Sequence, residues 1–358
     1  MSIIERVIEE LKENKQKRLK GEDILIPWLN LPKLSTVLPG VQKGRYVIIT
    51  ANSKVGKTQI ADYLYLYEPL NYILNNKTNL KLKIFYFSLE ISKEDKLLQM
   101  ISNKIYNDKK YIISMDNLKS YFKGYVLEDR VEQLIDSYKD YFTRVESIVT
   151  IIDNIRNPHG IYKEVRKYAR ENGKFFLKDG TEVDPVANPF YDYYEPNDPH
   201  EQVIVITDSL SLLQPEKIDG KQQELWDAMF KFSSDYSLKM RDNFKYTVVN
   251  IQQQAGDQEK QQFTFKGSTI IDKLRPSADG LGDCKLTGRD CDLMIGLFAP
   301  ARYKVKEYQG FNIEKLKDNY RELCIIFNRR GGGNINLDLF FQGECNYFRE
   351  LGDSEFRI

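Results

Sequence analysis

Histidine, cysteine and net charge are all scarce in this chain, and each shortage removes a class of function. Cys284, Cys291, Cys324 and Cys345 include no CxxC pair, so their spacing suits neither a zinc ribbon nor a small disulfide framework. Reduced thiols packed in or near strands are the expectation. His159 and His200 stand beside Pro and Gly in loop-like sequence, and no metal site built from His or Cys is expected. Fifty-three Lys and Arg against 52 Asp and Glu leave a net charge of +1. That excludes a bulk-charge grip on nucleic acid or membrane, while a local basic channel stays compatible. The longest apolar runs, such as Tyr46–Ile49 and Val203–Ile206, are far too short to cross a bilayer. Glu5, Glu9 and Glu10 interrupt the N-terminal hydrophobics, unlike a signal peptide. A cytoplasmic protein with no membrane partner is expected, and 358 residues give ample chain for a buried core.

What the chain does have is rhythm. Residues 2–19 place Ile4, Val7, Ile8 and Leu11 on one face of a helix, which Gly21 and Pro27 end. Short apolar runs then recur at Tyr46–Thr50, Lys83–Ser88, Ile148–Ile152, Val203–Thr207, Tyr246–Ile251, Leu293–Phe298 and Leu323–Phe327. Continuous rather than alternating apolar runs predict strands covered on both faces, hence an α/β fold with a mostly parallel central sheet flanked by helices. Ile335–Phe341 and Asn346–Glu350 alternate better and predict a C-terminal β-hairpin around Gln342-Gly343. Residues 173–201 carry Pro185, Pro189, Pro196 and Pro199 among many aromatics, with a hairpin expected over Phe175–Val183 that turns at Asp179-Gly180. That stretch reads as an insertion. The expected organisation is a helix over residues 1–20 and one enlarged domain over 21–358.

One segment carries chemistry outright. Val47-Ile48-Ile49-Thr50 runs into Ala51-Asn52-Ser53-Lys54-Val55-Gly56-Lys57-Thr58 and then the helix-like Gln59–Tyr67. A strand, a loop ending in GKT and a helix form the P-loop pattern, with Ser53 to Gln59 as the phosphate cradle. Gly56 lets backbone N–H groups approach phosphate, and Lys57 reaches the β- and γ-phosphates. Thr58 offers a hydroxyl to Mg²⁺. Ala51 stands where the general pattern begins with Gly. Two acids end apolar strands: Asp208, placed to support Mg²⁺, and Glu90, placed to polarise an attacking water.

These residues resemble the RecA-like motor domain of DnaB-type hexameric replicative helicases. Phe87-Ser88-Leu89-Glu90-Ile91-Ser92 is similar to that family's FSLEMS, whose Glu is the catalytic base, and the family commonly begins its P-loop with Ala. Ile151-Ile152-Asp153-Asn154 resembles IDDTP, and ITDSLSLL within Val205–Leu213 resembles IDYLQLM. The strand at Val248–Gln254 resembles the one ending in SQ, which implies a γ-phosphate sensor at Gln253, with Gln252 as the neighbouring alternative. Arg275-Pro276, Asp290-Cys291-Asp292 and CIIFNRRGG over Cys324–Gly332 continue the match. The last implies an arginine finger at Arg330 that reaches into the next subunit. The resemblance covers about residues 25–350 and implies ATP and Mg²⁺ as ligands, self-assembly into a hexameric ring, single-stranded DNA as track, and primase or loader proteins as partners.

The departures are specific. The family's N-terminal domain is expected to be missing, with the helix at 2–19 as candidate for its subunit-swapping linker. Asn328 replaces the Lys beside the finger, and Gln99 replaces the Arg that packs on the nucleotide base. Where the family has RESG in its DNA-binding loop, this chain has Gly282-Asp283-Cys284-Lys285, which leaves Lys260, Lys266, Lys285 and Arg289 as candidate DNA contacts. A DNA helicase motor is the leading reading. A nucleotide-binding oligomeric scaffold, or a RecA-like recombinase or signalling ATPase, is the alternative. Abundant Lys, Asn, Ile and Tyr suggest an AT-rich genome, such as a phage or mobile element acting in bacterial cytoplasm.

Overall fold

Each of the seven apolar runs forms a strand of one nine-stranded sheet, and the C-terminal pair supplies the other two. The computed structural model describes residues 3–357 apart from 189, 219, 257–263, 266–267, 270, 334 and 353–354. In chain order its main elements are helix α1 (Ile3–Leu19), strand β1 (Arg45–Ala51), helix α2 (Lys57–Asp62), β2 (Lys81–Ser88), α3 (Lys93–Lys109), β3 (Val149–Ile152) and α4 (Pro158–Glu171). Three short strands follow, β4 (Gly173–Phe176), β5 (Glu182–Val183) and β6 (Tyr193–Pro196). The chain then returns to the large sheet with β7 (Glu201–Asp208), β8 (Thr247–Gln253), β9 (Leu293–Phe298), β10 (Tyr320–Asn328), β11 (Ile335–Gln342) and β12 (Tyr347–Glu350). A short helix, α5 (Thr287–Asp290), precedes β9.

The sheet order is β12-β11-β10-β9-β1-β8-β7-β2-β3. From β9 to β3 neighbouring strands are parallel, and β10, β11 and β12 add three antiparallel pairings at one edge. Strand parity explains the continuous apolar runs. Val47 and Ile49 enter one core layer with Ile60, Leu64, Ile84, Ile204 and Ile251. Tyr46 and Ile48 enter the other with Phe87, Val205, Val248, Ile161 and Phe232. Both faces are therefore covered, as a parallel sheet requires.

The segment 173–201 forms its own three-stranded antiparallel sheet, ordered β5-β4-β6, and Phe175 pairs with Val183 as the expected hairpin requires. Its aromatics are used in packing: Phe175 is buried against the rings of Tyr191, Tyr194 and Phe244. Two local expectations need correction. The helix read through Tyr67 changes at Tyr63–Tyr67 to a single π turn before resuming at Glu68–Asn75. His159 is not in a loop, because Pro158 takes the first position of α4, where its missing N–H costs nothing. The two histidines have separate partners, Tyr236 for His159 and Asn79 for His200.

Helix α1 leaves its apolar stripe in water, with Ile4 62% and Leu11 64% exposed and Val7 and Ile8 partly so. Among the described residues, no helix is long and apolar enough to cross a membrane. All four cysteines are free and buried. Burial pushes the Cys291 thiol up to about 12 and raises those of Cys324 and Cys345. Thiolate is the reactive form. A colorimetric thiol reagent at pH 8 should therefore label none of the four in the native protein and all four after denaturation, and rapid native labelling would contradict this packing.

Candidate functional site

Parallel register brings the chemistry-bearing strand ends together. Ala51 at the end of β1 lies beside Gln253 at the end of β8, Ile251 lies beside Asp208 of β7, and Asp208 lies beside Ser88 of β2. The loops that leave these ends enclose a cleft of about 340 Å³ lined by Ser53, Lys54, Gly56, Lys57, Thr58 and Gln59 from the phosphate loop. Glu90, Gln99, Asp208 and Gln253 complete the lining together with Ile91.

The loop over Asn52–Gly56 is shaped for close backbone approach. Gly56 caps α2 with a φ of 110°, a conformation that L side chains rarely adopt. Two arginines hold its carbonyls. Arg321, buried in β10, donates through Nε to the Val55 carbonyl at 2.7 Å, and Arg302 donates to the Ser53 carbonyl. A trans peptide points its C=O and N–H to opposite sides. Tying these two carbonyls down therefore turns the Lys54 and Gly56 N–H groups the other way, as an anion cradle needs. Burial pulls the Arg321 guanidinium down to about 10, which still leaves it charged at neutral pH.

Thr58, the second residue of α2, donates its hydroxyl to Asp208 Oδ1 at 3.0 Å. These two hard oxygen donors suit Mg²⁺, which takes few protein ligands and completes its shell with phosphate and water. Among the described residues there is no group of three or more His, Cys, Asp or Glu that could hold a metal by itself, so phosphate oxygens would have to share the coordination. The Leu89 N–H donates to the Asp208 carbonyl at 2.7 Å and Ser88 Oγ donates to the Ile91 carbonyl at 2.6 Å. The turn that presents Glu90 is thus tied to the end of β7, and the Glu90 carboxylate itself is exposed to the cleft. Gln99 carries a buried Oε1 with no hydrogen-bond partner among the described residues, a free acceptor at the wall of the cleft.

Strand parity separates the two candidate sensors. Gln253 lines the cleft, whereas the buried Gln252 donates to the Gly282 and Cys284 carbonyls at 2.7 and 2.9 Å and accepts from Thr287. Arg330 is not in the cleft. It lies exposed past the end of β10, with Nη2 3.4 Å from the Gly44 carbonyl, just before β1 begins. The seven residues of β1 separate Gly44 from the phosphate loop, a span of roughly 20 Å at about 3.3 Å per residue. Asn328 there accepts from Arg45 and from the Arg330 N–H. Arg275 makes a two-pronged bond to the buried Glu322 at 2.8 and 2.7 Å, which anchors the Arg-Pro segment on β10.

Of the candidate DNA contacts, Lys260 and Lys266 lie outside the described residues. Lys285 and Arg289 are exposed on and just before α5, and Arg329 donates to the Arg289 carbonyl. A larger cleft, about 900 Å³, lies elsewhere, between α4 and the small sheet. Its cations (Lys163, Arg166, Lys167 and Arg170 among them) are interspersed with Glu164, Glu171, Glu182 and Asp184, so it offers no concentrated anion site. The supporting arginines, Arg302 and Arg321, carry no local motif. The pairing of β9 with β1 brings Arg302, in the turn after β9, to the loop, and the pairing of β10 with β9 brings Arg321 there.

The fold is similar to that of the ATPase domain of G40P, with a TM-score of 0.66, 20% identity, and coverage of 98% of this chain and 99% of that chain. It is also similar to a DnaB-like replicative helicase described with its primase interactions, with a TM-score of 0.64, 20% identity, and coverage of 98% of this chain and 67% of that chain. The fold is thus RecA-like, as in these two structures. No protein-family model matches the chain, and no curated protein matches it in sequence.

The two glutamines make opposite predictions. Gln252→Ala strands two carbonyls and a hydroxyl, so urea denaturation should show a loss of about 1–3 kcal/mol. Gln253→Ala, which removes a side chain lining the cleft, should leave stability within about 0.5 kcal/mol. A stability loss at Gln253 with none at Gln252 would contradict the parity.

Proposed function

We propose that this chain is the ATP-hydrolysing motor of a DnaB-type ring helicase, acting on single-stranded DNA in replication. The observation that carries this is the meeting of Lys57, Thr58, Glu90, Asp208 and Gln253 in one cleft, with Arg330 held at the opposite end of the sheet. ATP and Mg²⁺ are the ligands that the cleft suits. The N–H groups after Ser53 and Val55, with the Lys57 ammonium, bind the phosphates. Thr58 and Asp208 are the metal donors. Mg²⁺, when bound, offsets the charge that develops on the phosphate oxygens. Glu90 orients and deprotonates the attacking water, and Gln253 donates to the γ-phosphate.

The position of Arg330 makes hydrolysis a property of the assembly. At roughly 20 Å from its own phosphate loop, it serves only the cleft of another copy. There its guanidinium stabilises the charge of the transition state, as arginine fingers do. The uncovered stripe on α1 gives the next subunit an apolar surface to cover, in keeping with a linker helix. A hexameric ring with DNA in its channel, contacted by Lys285, Arg289 and the segment holding Lys260 and Lys266, completes the reading. Such a ring needs basic residues only at its channel, which suits a net charge of +1.

Glu90→Gln should bind ATP with near-normal affinity and lose about 100-fold or more in turnover, the scale of general-base catalysis. Unchanged turnover would remove Glu90 from this role. Lys57→Ala and Arg330→Ala should each be inactive alone, yet regain activity when mixed, because some interfaces then pair an intact loop with an intact finger. Mixtures that stay inactive under conditions where the wild-type chain assembles would contradict shared sites. Stimulation of turnover by single-stranded DNA at low salt is expected, and its absence would favour the nucleotide-binding scaffold.

A further inference from the structure

Behind Asp208 lies a buried polar chain that phosphate binding does not require. Tyr86 is on β2, two residues before Ser88, and its hydroxyl lies 2.8 Å from Asp62 Oδ1 and 3.2 Å from Asp208 Oδ2. Lys96 Nζ donates to the other Asp62 oxygen at 2.8 Å, and the same ammonium sits 4.4 Å from the centre of the Tyr86 ring. Asp62, Lys96 and Tyr86 are fully buried and Asp208 almost so. A buried ion pair is a poor device for stability, because apolar residues of similar volume often do as well or better. The location of this one is more informative.

Each member belongs to an element that carries part of the candidate site. Asp62 is on α2 with Thr58, Lys96 is on α3 with Gln99, and Tyr86 is on the strand that leads to Glu90. Two carboxylates face one phenol, which has a single proton to donate. The phenol lies nearer Asp62, but Lys96 already supplies that carboxylate with a charge-assisted bond, whereas the phenol is the donor from this cluster to Asp208. The ammonium also offsets the Asp62 charge. Asp208 is left as the uncompensated carboxylate of the chain, on the side that faces Thr58.

We propose that Tyr86 is a positioning residue that locks the Asp208 carboxylate with Oδ1 toward Thr58, and that the buried Lys96–Asp62 pair holds Tyr86 in place, so that this triad sets the affinity of the Thr58–Asp208 pair for Mg²⁺. This rests on the nucleotide-site reading above. Lys96 contacts both other members, bonding Asp62 and covering the Tyr86 ring, so α2 and α3 are fastened together through the residue that orients Asp208. Groups that orient a metal ligand typically change metal affinity about 10–100-fold when removed.

The test is binding of a fluorescent ATP analogue to the full-length chain, titrated first in EDTA and then against rising Mg²⁺, with thermal melts in parallel. For Tyr86→Phe, which keeps the ring and loses only the hydroxyl, affinity in EDTA should stay within about twofold of wild type. The Mg²⁺ concentration that gives half of the tightening should rise about 10-fold or more. The double variant Asp62→Leu with Lys96→Leu removes both charges together, so it should fold and show the same shift. An unshifted Mg²⁺ dependence in Tyr86→Phe overturns the inference, as does equal weakening with and without Mg²⁺. A shift in Tyr86→Phe with none in the folded double variant overturns the role of the ion pair. Lys57→Ala keeps the two failures apart: if it binds the analogue as well as wild type, the nucleotide-site reading itself is wrong.

Discussion

Parallel pairing of β1, β8, β7 and β2 is the constraint from which the site follows. Each strand in this series delivers its C-terminal end to the same edge of the sheet, where Ser88, Asp208 and Ile251 share one row and Gln253 and Ala51 lie two residues beyond it. Loops leaving that edge must converge, and they carry the 52–58 loop, Asp208, Gln253 and the Glu90 turn, to which the proposed function gives the phosphate, metal, sensor and water roles. A one-residue slip of β8 would exchange Gln253 for Gln252 and point the committed, buried glutamine at the cleft. The three bonds of Gln252 to the segment 282–287 hold that register from the other face.

The antiparallel strands at the other side do different work. β10 runs against β9, so its start lies near the phosphate loop and its end lies where β1 begins. One strand thereby places Arg321 under the loop and leads to Arg330 at the far end of the sheet. The same polypeptide supports its own cradle and presents a cation to another. That arrangement accounts for a site that is structurally complete within one chain and, in the proposed function, chemically complete only between two.

Most of the architecture was legible because both core faces are apolar. Runs such as Val203–Thr207 and Leu293–Phe298 carry strand identity in a few consecutive residues, and the GKT signature is local. Residues whose surroundings are set by distant pairing were not legible. Charged helix residues are mostly solvated, so nothing local marks Asp62 and Lys96, and only the packing of α2 and α3 on β2 shows them fully buried together. Arg321 lies outside the apolar run Leu323–Phe327, and only β11 shows it covered, with the Phe341 ring 4.6 Å from the guanidinium. The choice between Gln252 and Gln253 needed parity, which a run of three glutamines cannot supply.

The central claim is that catalysis belongs to an interface, and it is tested most directly by ATP turnover per chain across a protein dilution series, with particle mass read on the same samples. Turnover per chain should fall in step with loss of the assembled particle and approach zero for the isolated chain. Constant turnover per chain down to concentrations at which only single chains remain would contradict a shared site and return Arg330 to the surface.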